Sequence, residues 1–135
     1  MASLLTAVAL AAGFGIAGSA SAAAASYDGS CGADNGGEIC LYRDAGYTGG
    51  IYDTIHSLSN YTSYYTYHGT SIQLNNSVSS AWNRDPDTGA RIFANTGYSG
   101  PQVYLSGNGY VYNMAEAGLN DVASSHCFTN VSGCS

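Results

Sequence analysis

Cys31, Cys40, Cys127 and Cys134 are the only thiols of this 135-residue chain, and their spacing decides what they can do. A zinc centre would need thiolates in C-x-x-C spacing or histidines paired a turn apart. Neither occurs, and His56, His68 and His126 stand singly. An even number of cysteines in an exported chain implies two disulfides, for which sequence allows three connectivities. Local pairing, Cys31 with Cys40 and Cys127 with Cys134, is favoured because each pair closes a short Gly-containing loop and would contribute about 2 to 3 kcal/mol. The alternative ties the two chain ends together. Catalytic chemistry finds no constellation. The sequence has no G-x-S-x-G and no H-E-x-x-H, and its two glutamates, Glu38 and Glu116, are too far apart in the chain to be read as a carboxylate pair. The three histidines read as surface or packing residues, and no enzyme activity is expected.

Binding chemistry is better represented. Tyr61, Tyr64, Tyr65 and Tyr67, interleaved with Thr and Ser in "NYTSYYTYHG", have the composition of binding loops, since Tyr offers large amphipathic area at low rotamer cost. An edge strand alternating Tyr with Thr is the plainer alternative.

These residues must be positioned by something, and the chain shows what by repeating itself. "LYRDAGYTGG" (41–50) returns as "IFANTGYSGP" (92–101), and "NNSVSS" (75–80) returns as "NDVASS" (120–125). Alternation in "ICLYR" and "ARIFA" predicts strands with one buried face, each followed by a Gly-containing bend and a second short run, "GGIYD" or "PQVYL". Gly46, Gly49, Gly97 and Gly100 are expected at positive φ, with Tyr47 and Tyr98 laid back over the bends. "TSIQL" and "SSAWN" are assigned as third and fourth strands of the first unit, and "YVYNM" and "SSHCF" as those of the second. Trp82, Ile72, Leu74, Val103, Leu105 and Val122 are the expected core, with a ligand platform as the other reading of Trp82. The first signatures are offset by 51 and the second by 45, so the first unit carries six extra residues between Gly50 and Leu74. That surplus coincides with the tyrosine-rich segment, which therefore reads as an enlarged loop on a duplicated scaffold.

Composition agrees with one compact domain rich in turns: 45% hydrophobic, 9% charged, 18 Gly and 12 Tyr. A net charge of -6 with no Lys offers nothing to neutralise phosphates, which excludes nucleic acid and an anionic membrane as partners. Residues 1–25 form an apolar run ending in small residues, with Ala20-Ser21-Ala22 fitting a signal-peptidase site; a membrane anchor is disfavoured by Gly13, Gly15 and Gly18. The expected mature protein is secreted and spans 26–135, with repeat one at about 38–83, a turn linker "RDPDTG" at 84–89, repeat two at about 90–128 and a terminal loop at 127–134.

The doubled aromatic-x4-aromatic-x-Gly and N/D-N/D-x-x-S/T-S signatures, running from Ile39 to Phe128, resemble the βγ-crystallin superfamily. The resemblance implies an all-β sandwich of two Greek-key motifs. Exported size, the cysteine pairs and Tyr/Gly-rich composition further resemble the small secreted bacterial metalloproteinase inhibitors of that fold. It implies a monomeric inhibitor of an extracellular protease, with a calcium-stabilised structural or cell-surface module as the alternative. In such an inhibitor a stapled loop would dock on the protease: Phe128, Thr129, Asn130 and Val131 in "CFTNVSGC" first, or "CGADNGGEIC" leading into Leu41. The superfamily also implies two weak calcium sites. One would use the Ser77 carbonyl, Ser79 hydroxyl and Asp121 carboxylate; the other would use the Val122 carbonyl, Ser124 hydroxyl and Asn76 amide oxygen. One carboxylate over two sites implies dissociation constants of about 10⁻⁴ to 10⁻³ M. The alternative is that these Asn and Ser side chains only close turns.

Overall fold

The computed structural model describes residues 26–33 and 36–135; the expected export signal at 1–25 lies outside the described residues. Two antiparallel sheets face one another. β1 (Ile39–Asp44), β2 (Thr48–Thr54), β3 (Ser80–Asn83) and β6 (Tyr110–Val111) form one in the order β2-β1-β3-β6; β4 (Ala90–Asn95), β5 (Ser99–Leu105) and β7 (Ser125–Phe128) form the other in the order β5-β4-β7. This is the expected sandwich of two Greek-key units.

The duplication is visible at the level of single residues. The β1/β2 register is interrupted between Tyr42 and Asp44, and the β4/β5 register between Phe93 and Asn95. At both bends glycines and a tyrosine take positive φ: Gly46, Tyr47 and Gly49 in the first, Gly97, Tyr98 and Gly100 in the second. The last serine of the second signature then clips the bend made by the first signature. Ser80 Oγ donates to the Asp44 carbonyl at 2.7 Å and accepts from the Tyr47 amide at 3.0 Å. Ser125 Oγ does the same with Asn95 (2.6 Å) and Tyr98 (3.3 Å). The two signatures recur together because each repeat needs the serine to hold its folded hairpin.

Each repeat also lends a segment to the other. β6, from the second repeat, pairs with β3 of the first, and Leu58, from the first, bridges to His126 in β7 of the second. The third strand of repeat one is therefore not "TSIQL". That segment instead folds back within the insertion, through a Thr66–Gln73 bridge and Leu74 N–H donating to the Tyr65 carbonyl at 2.9 Å. A period-2 pattern does not tell a strand of the main sheet from a small local hairpin.

Inward side chains Ile39, Leu41, Ile92 and Leu105, with Leu74, Val78, Met114 and Leu119 from the connections, form the core; each such burial contributes about 1.5 to 3 kcal/mol. Val103 packs against that core. Three expected core residues sit elsewhere. Ile72, inside the small hairpin closed by the Thr66–Gln73 bridge, and Val122, on a turn, are exposed, and Trp82 lies opposite Cys40 and Tyr110 on the outer face of its sheet, half-buried among Tyr47, Tyr110 and the Arg84 guanidinium. Strand alternation sends Trp82 outward because its neighbour Ala81 takes the inward position.

Candidate functional site

Both disulfides form locally, Cys31 with Cys40 and Cys127 with Cys134. The two stapled loops come to the same end of the sandwich, with the inter-repeat linker between them. Backbone hydrogen bonds join all three: Arg84 N–H donates to the Glu38 carbonyl at 2.7 Å, and Thr129 N–H to the Gly89 carbonyl at 2.9 Å. A cleft of about 390 Å³ opens there, lined by Gly36 and Gly37 of the first loop, Ile55, His56 and Ser57 after β2, Asp85 of the linker, and Phe128, Asn130 and Val131 of the second loop.

The expected docking residues divide within this site. Thr129, Asn130 and Val131 are exposed on the second loop. Phe128 is not available to a partner: it closes β7, is 6% exposed within the core, and its amide donates to Ser57 Oγ at 2.9 Å. Alternation along β7 and the need to fill the sandwich end turn its ring inward.

The tyrosine segment is likewise split. Tyr61 and Tyr67 are fully buried, contrary to a role as contact residues. Tyr61 lies against His126, its hydroxyl 2.8 Å from Nδ1, while Nε2 of the same ring lies 2.8 Å from the His56 carbonyl. The carbonyl can only accept, so Nε2 carries the proton and Nδ1 accepts from Tyr61. Burial lowers the His126 pKa from 6.5 to about 4 and holds the Tyr61 hydroxyl well above its usual range. Tyr67 donates to the Ser77 carbonyl at 2.9 Å and, through burial, is pushed up to about 12. Tyr64 is 89% exposed, and with Tyr65, Tyr27, Tyr52 and Thr66 it lines a second, smaller cleft of about 210 Å³. The tyrosine-rich segment thus turns Tyr61 and Tyr67 into the core, leaves Tyr65 half-buried against it and exposes Tyr64.

Sequence reasoning passed over Glu38 as isolated. Its side chain is 1% exposed, and Oε2 accepts from the Gly32 amide at 2.6 Å, while Oε1 has no partner. Burial, then Asp53 and Asp28 nearby, raise its pKa to about 7 against the opposing Gly32 hydrogen bond. An acidic side chain two residues before a disulfide cysteine, at the entry to an apolar strand, was the available signal.

The residues aligned with calcium ligands do meet across the repeats. Ser79 Oγ lies 3.4 Å from Asp121 Oδ1, and Ser124 Oγ donates to Asn76 Oδ1 at 3.1 Å. Asn76 and Asp121 both sit at φ of 55°. The two crossings differ in their donors. At the first, the Ser77 carbonyl already accepts from Tyr67, and its hydroxyl donates within its own turn, to Gln73 at 2.6 Å. At the second, Val122 and Asn76 supply only neutral oxygens. Among the described residues no group of three or more His, Cys, Asp or Glu could hold a metal. This donor chemistry fits a weak, hard, oxygen-bound cation and no transition metal.

Solved structures with this fold include a βγ-crystallin domain from work on the evolution of the eye-lens domain fold, 26% identical over 75% of this chain and 93% of that one, TM-score 0.63. A βγ-crystallin from Ciona intestinalis is 27% identical over 67% of this chain and 98% of that one, TM-score 0.53. Spherulin 3a from Physarum polycephalum is 26% identical over 67% and 81%, TM-score 0.50. No curated protein matches the chain. The family model that does match is that of peptidase inhibitor family I36, over residues 24–105. That span takes in the first stapled loop, the whole of repeat one, the linker and the β4/β5 hairpin, well over half of the chain, and the chain belongs to peptidase inhibitor family I36.

Proposed function

We propose that this peptidase inhibitor is secreted as a monomer and acts on extracellular metalloproteinases through the loop end of its sandwich. Family membership carries the inhibitor class, and it agrees with a sequence that assembles no catalytic constellation. The geometry supports a route. Two disulfides, the linker and the cleft between them form one braced surface, and a segment already held in shape loses little entropy on docking into a protease. Asn130 and Val131 border the cleft from the second loop, and Thr129 is exposed beside them. Two local disulfides and the apolar leader suit an oxidising, extracellular setting.

The test is a panel of purified zinc, serine, cysteine and aspartic endopeptidases incubated with the protein at rising concentration, scoring residual activity and the integrity of the inhibitor. Loss of activity confined to the zinc enzymes is expected. Inhibition confined to another class would overturn the metalloproteinase assignment while leaving the family membership in place. The calcium crossings support a second property of the same molecule, a weakly bound ion that ties the repeats together and stabilises only the folded state.

A further inference from the structure

We infer that the linker at 84–89 is the segment that enters the partner's catalytic cleft, presenting the Asp87 carboxylate to a cationic centre. This rests on the inhibitor reading above and names the element that performs it.

The linker is the best-braced exposed segment of the loop end. Beneath it lies Asn83, fully buried, whose amide nitrogen donates to the carbonyls of Thr88 at 2.8 Å and Ser106 at 3.0 Å. Its Oδ1 accepts from the Asp85 amide at 3.1 Å. Asp85 turns its own carboxylate inward, where Oδ1 accepts from the amides of Asp87 and Thr88, both at 2.8 Å. The outer side is held by Asn108 N–H donating to the Asp85 carbonyl at 2.9 Å. Neighbouring segments press so close that side chains are excluded: a Cβ on Gly37 would overlap the Arg84 and Asp85 backbone, and one on Gly107 would overlap the Pro86 carbonyl. Buried donors therefore hold the segment from inside while Pro86 and Asp87 stay exposed at its tip. A protease that cut this segment would have its fragments held in place, which is the condition for a loop to inhibit rather than serve as substrate.

Charge sets the kind of partner. Arg84, the one cation of the linker, is turned back over the Trp82 ring, 4.4 Å from its centroid. Asp85 is consumed by the brace, so Asp87 is the free charge at the tip. A carboxylate carried into an endopeptidase cleft needs a cation there, and a catalytic divalent metal supplies one. The second stapled loop offers a weaker case, because Phe128 is buried and the family match ends at residue 105, beyond the linker but short of that loop.

Inhibition constants against a thermolysin-like zinc endopeptidase would be measured for wild type, Asp87→Asn and Asp87→Ala. Glu116→Gln, an exposed carboxylate on the 3₁₀ turn at Met114–Ala117, serves as the charge-matched control, with melting temperatures in parallel. Both Asp87 variants are expected to bind about 30-fold or more weakly with unchanged melting, and Glu116→Gln to stay within about twofold of wild type. Asn83→Ala is expected to become a substrate cut within 84–89, seen by mass spectrometry on protein still folded at the assay temperature. If wild type inhibits and the Asp87 variants inhibit equally well, the linker assignment falls and the inhibitor reading stands. Absence of inhibition by wild type overturns both.

Discussion

Replacing Glu38 by Gln should make the protein lose stability steeply on mild acidification, although the substitution touches neither the cleft nor the linker tip. The reason lies in two buried groups that titrate in opposite senses. His126 has a folded pKa of about 4 against 6.5 for the free side chain. Its stabilising contribution is complete above pH 6.5 and is lost as pH falls through 4, because the unfolded chain takes up a proton that the folded one refuses. The full shift corresponds to roughly 3 kcal/mol. Glu38 has a folded pKa of about 7 against 4.5. Its contribution is complete below 4.5 and is lost as pH rises through 7, because here the folded state holds the proton longer. Between 6.5 and 4.5 the two oppose each other, and wild-type stability should change little. Glu38→Gln removes one side of the balance. Urea unfolding at several pH values between about 7.5 and 4.5 should give a flat series for wild type and a fall approaching one proton's slope, about 1.4 kcal/mol per pH unit, for the variant. A variant series as flat as wild type would refute the placement of His126 as a neutral, buried ring.

Tyr61→Phe removes the donor to His126 Nδ1 and should cost about 1 to 3 kcal/mol by leaving a buried acceptor unpaired, whereas Tyr64→Ala, at an exposed site, should stay within about 0.5 kcal/mol of wild type; thermal melts of both distinguish the inward from the outward tyrosines, and equal losses would contradict the split. Calcium at about ten times a millimolar dissociation constant should add roughly 1.4 kcal/mol to wild-type stability. Asp121→Ala, which removes the only carboxylate of the two crossings, should reduce that gain, and identical wild-type melts in calcium and in chelator would remove the ion from the account.

How far the chain could be read from its sequence depended on whether a residue acts locally or across the fold. The bends at Gly46–Gly49 and Gly97–Gly100 follow from local stereochemistry, and both were legible together with the disulfides that close short loops. Leu74 and Leu105 were read correctly as core, whereas Ile72 and Val122, equally aliphatic and beside or within the same turn signatures, are exposed, because residue type near a turn does not report which way the side chain faces. What the sequence concealed is the exchange of segments between repeats. Leu58 pairs with β7 and not with its own repeat, and nothing in "HSLSN" announces a partner some 70 residues away. Tyr61 and Tyr67 were misread for the same reason: composition reports that a segment is rich in amphipathic rings, while the direction of each ring is set by His126 and Ser77, which reach it only in three dimensions. Trp82 shows the converse error, a large apolar residue taken for core when strand parity places it outside. The candidate site was legible only in part. The stapled loops were evident, but their convergence with the linker on one cleft, the inward turn of Phe128 and the buried carboxyl of Glu38 all depend on which chain ends the Greek-key topology brings together.

The central claim, inhibition of a metal-dependent endopeptidase, is tested most directly by titrating a fixed amount of a thermolysin-like zinc enzyme with the oxidised, mature protein and following residual peptidase activity. The account predicts a saturable loss of activity approaching one inhibitor per enzyme, with a dissociation constant well below about 1 μM as for other standard-sized protease complexes, the inhibitor surviving intact. Full enzyme activity in the presence of a large molar excess, with the protein degraded like any other substrate, would contradict it.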